Sequence, residues 1–305
     1  MAITQTSYPK SKIKILLLEN ISPAAVAELR ASGYADIREI KGALSEAELC
    51  EAVKGVHLIG IRSKTQITKK VIDAADKLLA VGCFCIGVNQ VDLAAATKKG
   101  VAVFNAPHAN TRSVAELIIG LSVMLIRKIV DKNTAAHSGV WMKDSAGSFE
   151  LRGKTLGIVG YGNIGSQVSN MAGAFGLPGV FYDIATKLPH GNAKQIRDVK
   201  ELLKVSDIVT LHVPSDSTTW NMINAETIKS FKKGAILINH SRGDVVDLDA
   251  VAKALKTGKL AGAAIDVFPE EPEKNGDAFA TVLQGLPNVI LTPHIDGRGP
   301  GKHWP

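Results

Sequence analysis

Cysteine is scarce in this sequence: Cys50, Cys83 and Cys85 are the only three in 305 residues, and they form neither an even disulfide framework nor a C-x-x-C pair. That excludes a disulfide-stapled secreted scaffold and points to buried thiols in a reducing cytoplasm, with no metal site expected. Long apolar runs are missing too, since no stretch approaches the roughly 18 residues of a membrane span. The first dozen residues, MAITQTSYPKSK, lack the apolar core of a secretory signal, so no export and no membrane partner are expected. Net charge is +7, yet no contiguous basic block exists and the lysines are interspersed with acids. This argues against a nucleic-acid partner and for a small anionic substrate, phosphorylated or carboxylate-bearing. What is there is ordinary for a globular chain, with 46% hydrophobic and 21% charged residues. The length is near that at which one core gives way to two, so two domains are expected.

Short β-branched runs alternate with amphipathic stretches from Ile13 onward: IKILLL, a helix opened by Pro23, VHLIGI, a helix from Thr68, then LLAVGC. Ser45-Glu46-Ala47-Glu48 has the S-x-x-E form of a capping box and predicts a helix start at Ser45. A short strand, Ala102 to Asn105, precedes Pro107. Ser113 to about Lys132 is apolar-periodic with no interruption other than Gly120, which predicts one long helix bridging two domains. A second series follows from Thr155: TLGIVG, a helix to Phe175, VFYD, a helix near Leu202, DIVTLHV, AILINHS, a helix from Leu248, AGAAIDV and NVILT. Six strands in that order suit a dinucleotide-binding sheet, and Pro178 shortens the start of the second one. The fold class expected is α/β, with two Rossmann-like, doubly wound parallel-sheet domains.

Gly160-Tyr161-Gly162-Asn163-Ile164-Gly165 follows an apolar strand and opens a helix. Each glycine has a mechanical use there: a tight turn, backbone approach to a pyrophosphate, and close helix packing, with the helix N-terminus facing the anion. Asp183 ends the next strand, eighteen residues beyond Gly165, where a carboxylate accepts ribose hydroxyls and repels a 2′-phosphate. NAD is therefore expected over NADP; the alternative for Asp183 is the capping of a turn.

Three charged residues follow strands of the same half: Arg242 in NHSRGDVVD, Glu271 in DVFPEEP and His294 in NVILTPHID. An imidazole titrates near working pH and suits a base for a hydroxyl proton, a carboxylate orients and favours its charged form, and a guanidinium holds a carboxylate bidentately. Taken singly, each also has a bland role: a surface ion pair, a turn cap, a loop histidine.

These motifs together resemble the D-2-hydroxyacid dehydrogenases, in the branch that acts on 3-phosphoglycerate. The resemblance runs from about Ile15 to His294, carried by KGAL at Lys41, GIRSKT at Gly60, GCFCIGVNQVDL at Gly82, VFNAPHANTRSVAEL at Val103, GSFELRGKTLGIVGYGNIGSQV at Gly147, LINHSRGDVVD at Leu237, AGAAIDVFPEEP at Ala261 and LTPHI at Leu291. It implies a substrate-binding domain over 1–107, a NAD-binding domain over 108–294 and a catalytic cleft between them, with 295–305 an atypical tail. It implies that Arg242, Glu271 and His294 act as one catalytic triad, with Glu270 a solvated neighbour. The NAD site implied comprises the glycine turn and Asp183, then His212, Val213, Pro214, His240, Ser241 and Asp266, the last at the nicotinamide carboxamide. Lys41, Arg62, Ser63 and Asn110 are implied near the substrate's anionic groups, and the backbone of Ile86 and Gly87 near its carboxylate. The reaction implied is NAD-dependent oxidation of D-3-phosphoglycerate to 3-phosphohydroxypyruvate, with a homodimer formed through the helix from Ser113.

The sequence departs from that pattern after His294, where Asp296-Gly-Arg-Gly-Pro-Gly-Lys-His-Trp-Pro replaces a glycine turn and a helix returning to the substrate domain. An exposed apolar face on that domain and the lack of a regulatory serine-binding domain are expected. Asp296 adds negative charge beside His294, and His240 stands where a small residue is usual. The alternatives are a dehydrogenase of another D-2-hydroxy acid, such as 2-hydroxyglutarate, and a non-catalytic NADH-sensing interaction protein.

Overall fold

The computed structural model describes residues 8–272, 274 and 276–295. Asp296 and the rest of the tail lie outside the described residues. The chain divides into two α/β units, the first ending at Ala109 and the second starting at Asn110.

The first unit runs β1 (Lys14–Leu17), α1 (Pro23–Ala31), β2 (Asp36–Glu39), α2 (Glu46–Ala52), β3 (Leu58–Ile61), α3 (Lys69–Ala74), β4 (Ala80–Cys83), α4 (Leu93–Lys99) and β5 (Ala102–Asn105). Its sheet is parallel throughout, in the order β2-β1-β3-β4-β5. This is a doubly wound order whose direction reverses between β1 and β3, opening a crevice at their carboxyl ends. The local signals act as expected. Ser22 caps α1 with Pro23 as its first residue, and Ser45 and Glu48 form the reciprocal box that starts α2. β2 gave no apolar signal because it is an edge strand with one half-buried residue, Ile37. Leu16, Ile59, Ile61, Val81 and Cys83 are buried against α2, α3 and α4, while Ile15 and Leu17 pack on Val26 of α1. Leu17, Gly60, Gly82 and Phe104 stand in register across β1, β3, β4 and β5. Phe84 lies over the Gly60 position, and both Phe84 and Phe104 are exposed, at 42% and 64%.

The second unit runs α5 (Thr111–Ile126), α6 (Ile129–His137), β6 (Leu156–Val159), α7 (Asn163–Ala174), β7 (Gly179–Tyr182), β8 (Lys194–Gln195), α8 (Val199–Val205), β9 (Ile208–Leu211), α9 (Ala225–Ile228), β10 (Ala235–Asn239), α10 (Leu248–Lys256), β11 (Leu260–Ile265) and β12 (Val289–Leu291). The parallel sheet is ordered β12-β11-β10-β9-β6-β7-β8. Counted from β6 this is the dinucleotide-binding order 3-2-1-4-5-6 with one further strand, and the reversal lies between β6 and β9. The six expected strands are all present; β8 and the one-turn α9 are too short to leave a periodic signal. β7 begins directly after Pro178, whose carbonyl accepts from Leu156 N.

One expectation is corrected. The apolar segment from Ser113 to about Lys132 is two helices, broken at Lys128, which adopts φ +52°, and both belong to the second unit rather than bridging the two. The cause is tertiary. Asn288 Nδ2 donates to Leu125 O at 3.1 Å, and both oxygens of Asp131 accept from Asn288 N at 2.8 and 3.0 Å. The loop before β12 thereby satisfies groups at the helix break, which a continuous apolar pattern cannot reveal.

Candidate active site

The turn from β6 into α7 is shaped by its glycines. A Cβ on Gly160, at φ +93°, would stand 2.3 Å from His212 O, and one on Gly165 would stand 2.2 Å from Gly160 O. Neither position admits another residue. A Cβ on Gly162 would meet nothing within 4 Å, and Gly162, as N-cap, has no side chain with which to cap the first turn of α7, which begins at Asn163 and Ile164. Open space over a glycine at an uncapped twelve-residue helix start fits a pyrophosphate. Tyr161 turns inward instead, stacked on Phe181 with ring centroids 3.7 Å apart. Asp183, directly after β7, accepts from Tyr161 N at 2.8 Å and from Ala185 N at 2.9 Å. It thus caps the turn, and each carboxylate oxygen keeps a further lone pair for a ribose hydroxyl. His212, Val213 and Pro214 continue from β9 beside Gly160, with His212 Nε2 3.0 Å from Thr210 Oγ1.

Next to this turn along the sheet, β10 ends at Asn239, which is fully buried. Its side chain organises the following turn: Oδ1 accepts from Ser241 N and Oγ, at 3.1 and 2.8 Å, and Nδ2 donates to Arg242 O at 2.9 Å. Arg242 Nη1 donates to Ser241 O at 2.6 Å. A Cβ on Gly243 would overlap the Phe268 and Pro269 backbone, so this turn lies directly against the segment that carries Glu271. Asp266, just past β11, is fully buried; its Oδ1 accepts from Thr292 Oγ1 at 2.5 Å and from Ile295 N at 3.0 Å. His240, also buried, places Nδ1 3.8 Å from Asp266 Oδ2.

Glu271 and His294 meet. His294 Nδ1 lies 2.9 Å from Glu271 Oε2 and 3.1 Å from Oε1, and Glu271 Oε1 also accepts from Phe268 N at 3.3 Å. Burial pushes the Glu271 carboxyl up, but the His294 hydrogen bond and charge, the Phe268 amide and the Arg242 charge together hold it below its ordinary 4.5. His294 itself adopts φ +52°, a strained backbone for a side chain of its size, anchored by its N donating to Asp266 O at 2.8 Å. The structure therefore gathers Arg242, Glu271 and His294 at the carboxyl edge of β10 to β12, with the His294 and Glu271 side chains 44% and 38% exposed.

In the first unit Lys41, Arg62, Ser63, Ile86 and Gly87 all follow the carboxyl ends of strands β2, β3 and β4. Lys41 and Arg62 are exposed, and among the described residues neither is paired with a carboxylate. Two residues overlooked in the sequence organise these loops: Glu19, which accepts from Arg62 N, Lys64 N and Thr65 N, and Gln90, which donates to Arg62 O and Gly87 O. Asn105 Nδ2 holds Ile86 O at 2.7 Å. Asn110 belongs to the second unit; it precedes α5 without capping it, and its Oδ1 is buried with no hydrogen-bond partner among the described residues.

Comparison with known proteins agrees with the fold. Residues 119–296 match the family described as D-isomer specific 2-hydroxyacid dehydrogenase, NAD binding domain. The D-3-phosphoglycerate dehydrogenase of Haemophilus influenzae is 55% identical over 293 residues, covering 96% of this chain and 72% of the relative. That of Dictyostelium discoideum is 52% identical over 292 residues, with the same coverage of 96% and 72%. Among solved structures, D-lactate dehydrogenase from Aquifex aeolicus, complexed with NAD and lactic acid, matches with a TM-score of 0.82 at 28% identity, over 94% of this chain and 90% of the other.

Proposed function

The chain belongs to the D-isomer specific 2-hydroxyacid dehydrogenases, and we propose that it oxidises D-3-phosphoglycerate to 3-phosphohydroxypyruvate with NAD, the opening step of serine biosynthesis. The observation that carries this is the Glu271–His294 hydrogen bond, with Arg242 beside it, in the unit that also holds the glycine turn.

Bound NAD supplies the hydride acceptor, or the donor in the reverse direction. The protein's own part is to bind, orient and move one proton. With Nδ1 of His294 engaged by Glu271, Nε2 is the nitrogen that takes the hydroxyl proton as the C–H bond breaks. The Glu271 carboxylate then stabilises the imidazolium. Arg242 holds the substrate carboxylate, for which a planar fork of donors suits better than an ammonium. The open space over Gly162 and the uncapped start of α7 take the pyrophosphate, and Asp183 takes the ribose hydroxyls. Asp266, with His240, Ser241 and the His212–Pro214 stretch, lines the nicotinamide side. The phosphate and carboxylate fall to Lys41, Arg62, Ser63, Asn110 and the backbone of Ile86 and Gly87. Exposed cations in the first unit favour a substrate with more than one negative charge, so Arg62→Ala is expected to weaken binding of 3-phosphohydroxypyruvate far more than that of pyruvate. Equal losses for both would remove the phosphate assignment.

Assembly and location belong to the same proposal. Val140, Trp141 and Met142 of the second unit are exposed, Trp141 at 85%, and the exposed Phe149 lines a groove of about 290 Å³ with Val123, Ile126, Leu151, Phe175 and the charged Arg127, Glu150 and Arg152. Apolar surface of that kind suits a second copy of this chain, hence a homodimer. The three free thiols suit a reducing cytoplasm. Among the described residues no helix is long and apolar enough to cross a membrane.

A further inference from the structure

Glu19 is a costly residue where it stands. It follows β1 with φ +59°, a left-handed conformation that glycine or asparagine adopts more easily, and it is 9% exposed. Its carboxylate is satisfied by one loop. Oε1 accepts from Arg62 N at 3.1 Å and Thr65 N at 2.8 Å, and Oε2 accepts from Lys64 N at 3.0 Å. Of the four amides from Arg62 to Thr65, Glu19 takes three and omits that of Ser63. Glu19 N donates to Gly42 O at 3.2 Å, tying in the loop of Lys41. Gln90, 4% exposed, adds the third loop: Nε2 donates to Arg62 O at 2.9 Å and Gly87 O at 3.2 Å. Two buried residues, Glu19 through its backbone as well as its side chain, thus cross-link the loops after β2, β3 and β4, at the point where the strand order reverses.

A buried carboxylate compensated by backbone amides is weak evidence for a purely stabilising role. The negative charge also works against an anion bound nearby. We propose that Glu19, supported by Gln90, is a positioning residue for anion recognition: it wraps the Arg62–Thr65 loop around its carboxylate so that Arg62 and Ser63 are held outward in one arrangement. The inference rests on the substrate site proposed above. It assigns to Glu19 no contact with substrate; the effect passes through the loop.

The test is steady-state reduction of 3-phosphohydroxypyruvate by Glu19→Gln, Arg62→Ala and the double variant, with melting curves for each. A carboxamide of the same size turns an NH2 toward amide donors and releases part of the loop. The expected result for Glu19→Gln is a rise of about tenfold or more in KM for 3-phosphohydroxypyruvate, with kcat and the KM for NADH within about threefold of the parent. Added to Arg62→Ala, the same change is expected to cost less than about threefold, since the cation it positions is gone. A KM unchanged by Glu19→Gln, or an equal penalty in both backgrounds, overturns the inference. If Arg62→Ala leaves KM unchanged, the substrate site itself is wrong and the inference falls with it. Should Glu19→Gln fail to fold, Gln90→Met carries the same expectation and the same grounds for rejection.

Discussion

At the scale of the residue, the account turns on Glu271 and His294. Because the Glu271 carboxyl is held below 4.5, its charge persists to lower pH than that of an ordinary glutamate. The contribution of the pair to folding is complete above that ordinary value and is lost as pH falls through the lower folded one. Glu271→Gln removes the charge that favours imidazolium, so the alkaline limb of the reduction profile should move to lower pH by about one unit, with kcat down about 10- to 100-fold. A pH–rate profile checks both; an unmoved limb would mean that His294 does not carry the proton. The sequence made Arg242, Glu271 and His294 visible only as a set, since each alone is an ordinary loop residue. Glu19 was not visible at all, because what it holds is backbone, and no spacing rule links a side chain to amides 43 to 46 positions away.

At the scale of the element, the glycine turn separates folding from binding. Gly165→Ala forces a methyl group into Gly160 O and should cost about 2–3 kcal/mol in urea unfolding. Gly162→Ala meets open space at φ −88°, so stability should hold while NAD affinity falls about tenfold, measured by fluorescence titration. Equal destabilisation by the two, with binding retained, would contradict the assignment. Strands, caps and the order of α and β were legible because they rest on local apolar periodicity and capping residues. The break at Lys128 was not, since it depends on Asn288, which reaches Leu125 O and Ala261 O from more than a hundred residues away in one case. Asn288→Ala removes both bonds from a residue at φ +52° and should destabilise the fold by about 2–4 kcal/mol, again by urea unfolding.

At the scale of the whole molecule, a chain with net charge +7, no basic block and exposed cations at Lys41 and Arg62 is suited to a small multiply charged anion. The exposed Trp141 segment suits self-association. Sedimentation should give a dimer, and Trp141→Glu should shift it toward monomer; an unchanged dimer would move the interface elsewhere. Two parallel sheets, each with a reversal of strand order, supply the edges on which all these groups stand. The central claim is that His294, paired with Glu271, moves the proton of a NAD-dependent oxidation of 3-phosphoglycerate. Its most direct test is NADH oxidation on addition of 3-phosphohydroxypyruvate, compared with His294→Asn. The parent should turn over, and the variant should bind NADH normally while kcat falls about 10²- to 10⁴-fold. A folded, NADH-binding parent that leaves NADH unoxidised, or a variant that matches its rate, would contradict the account.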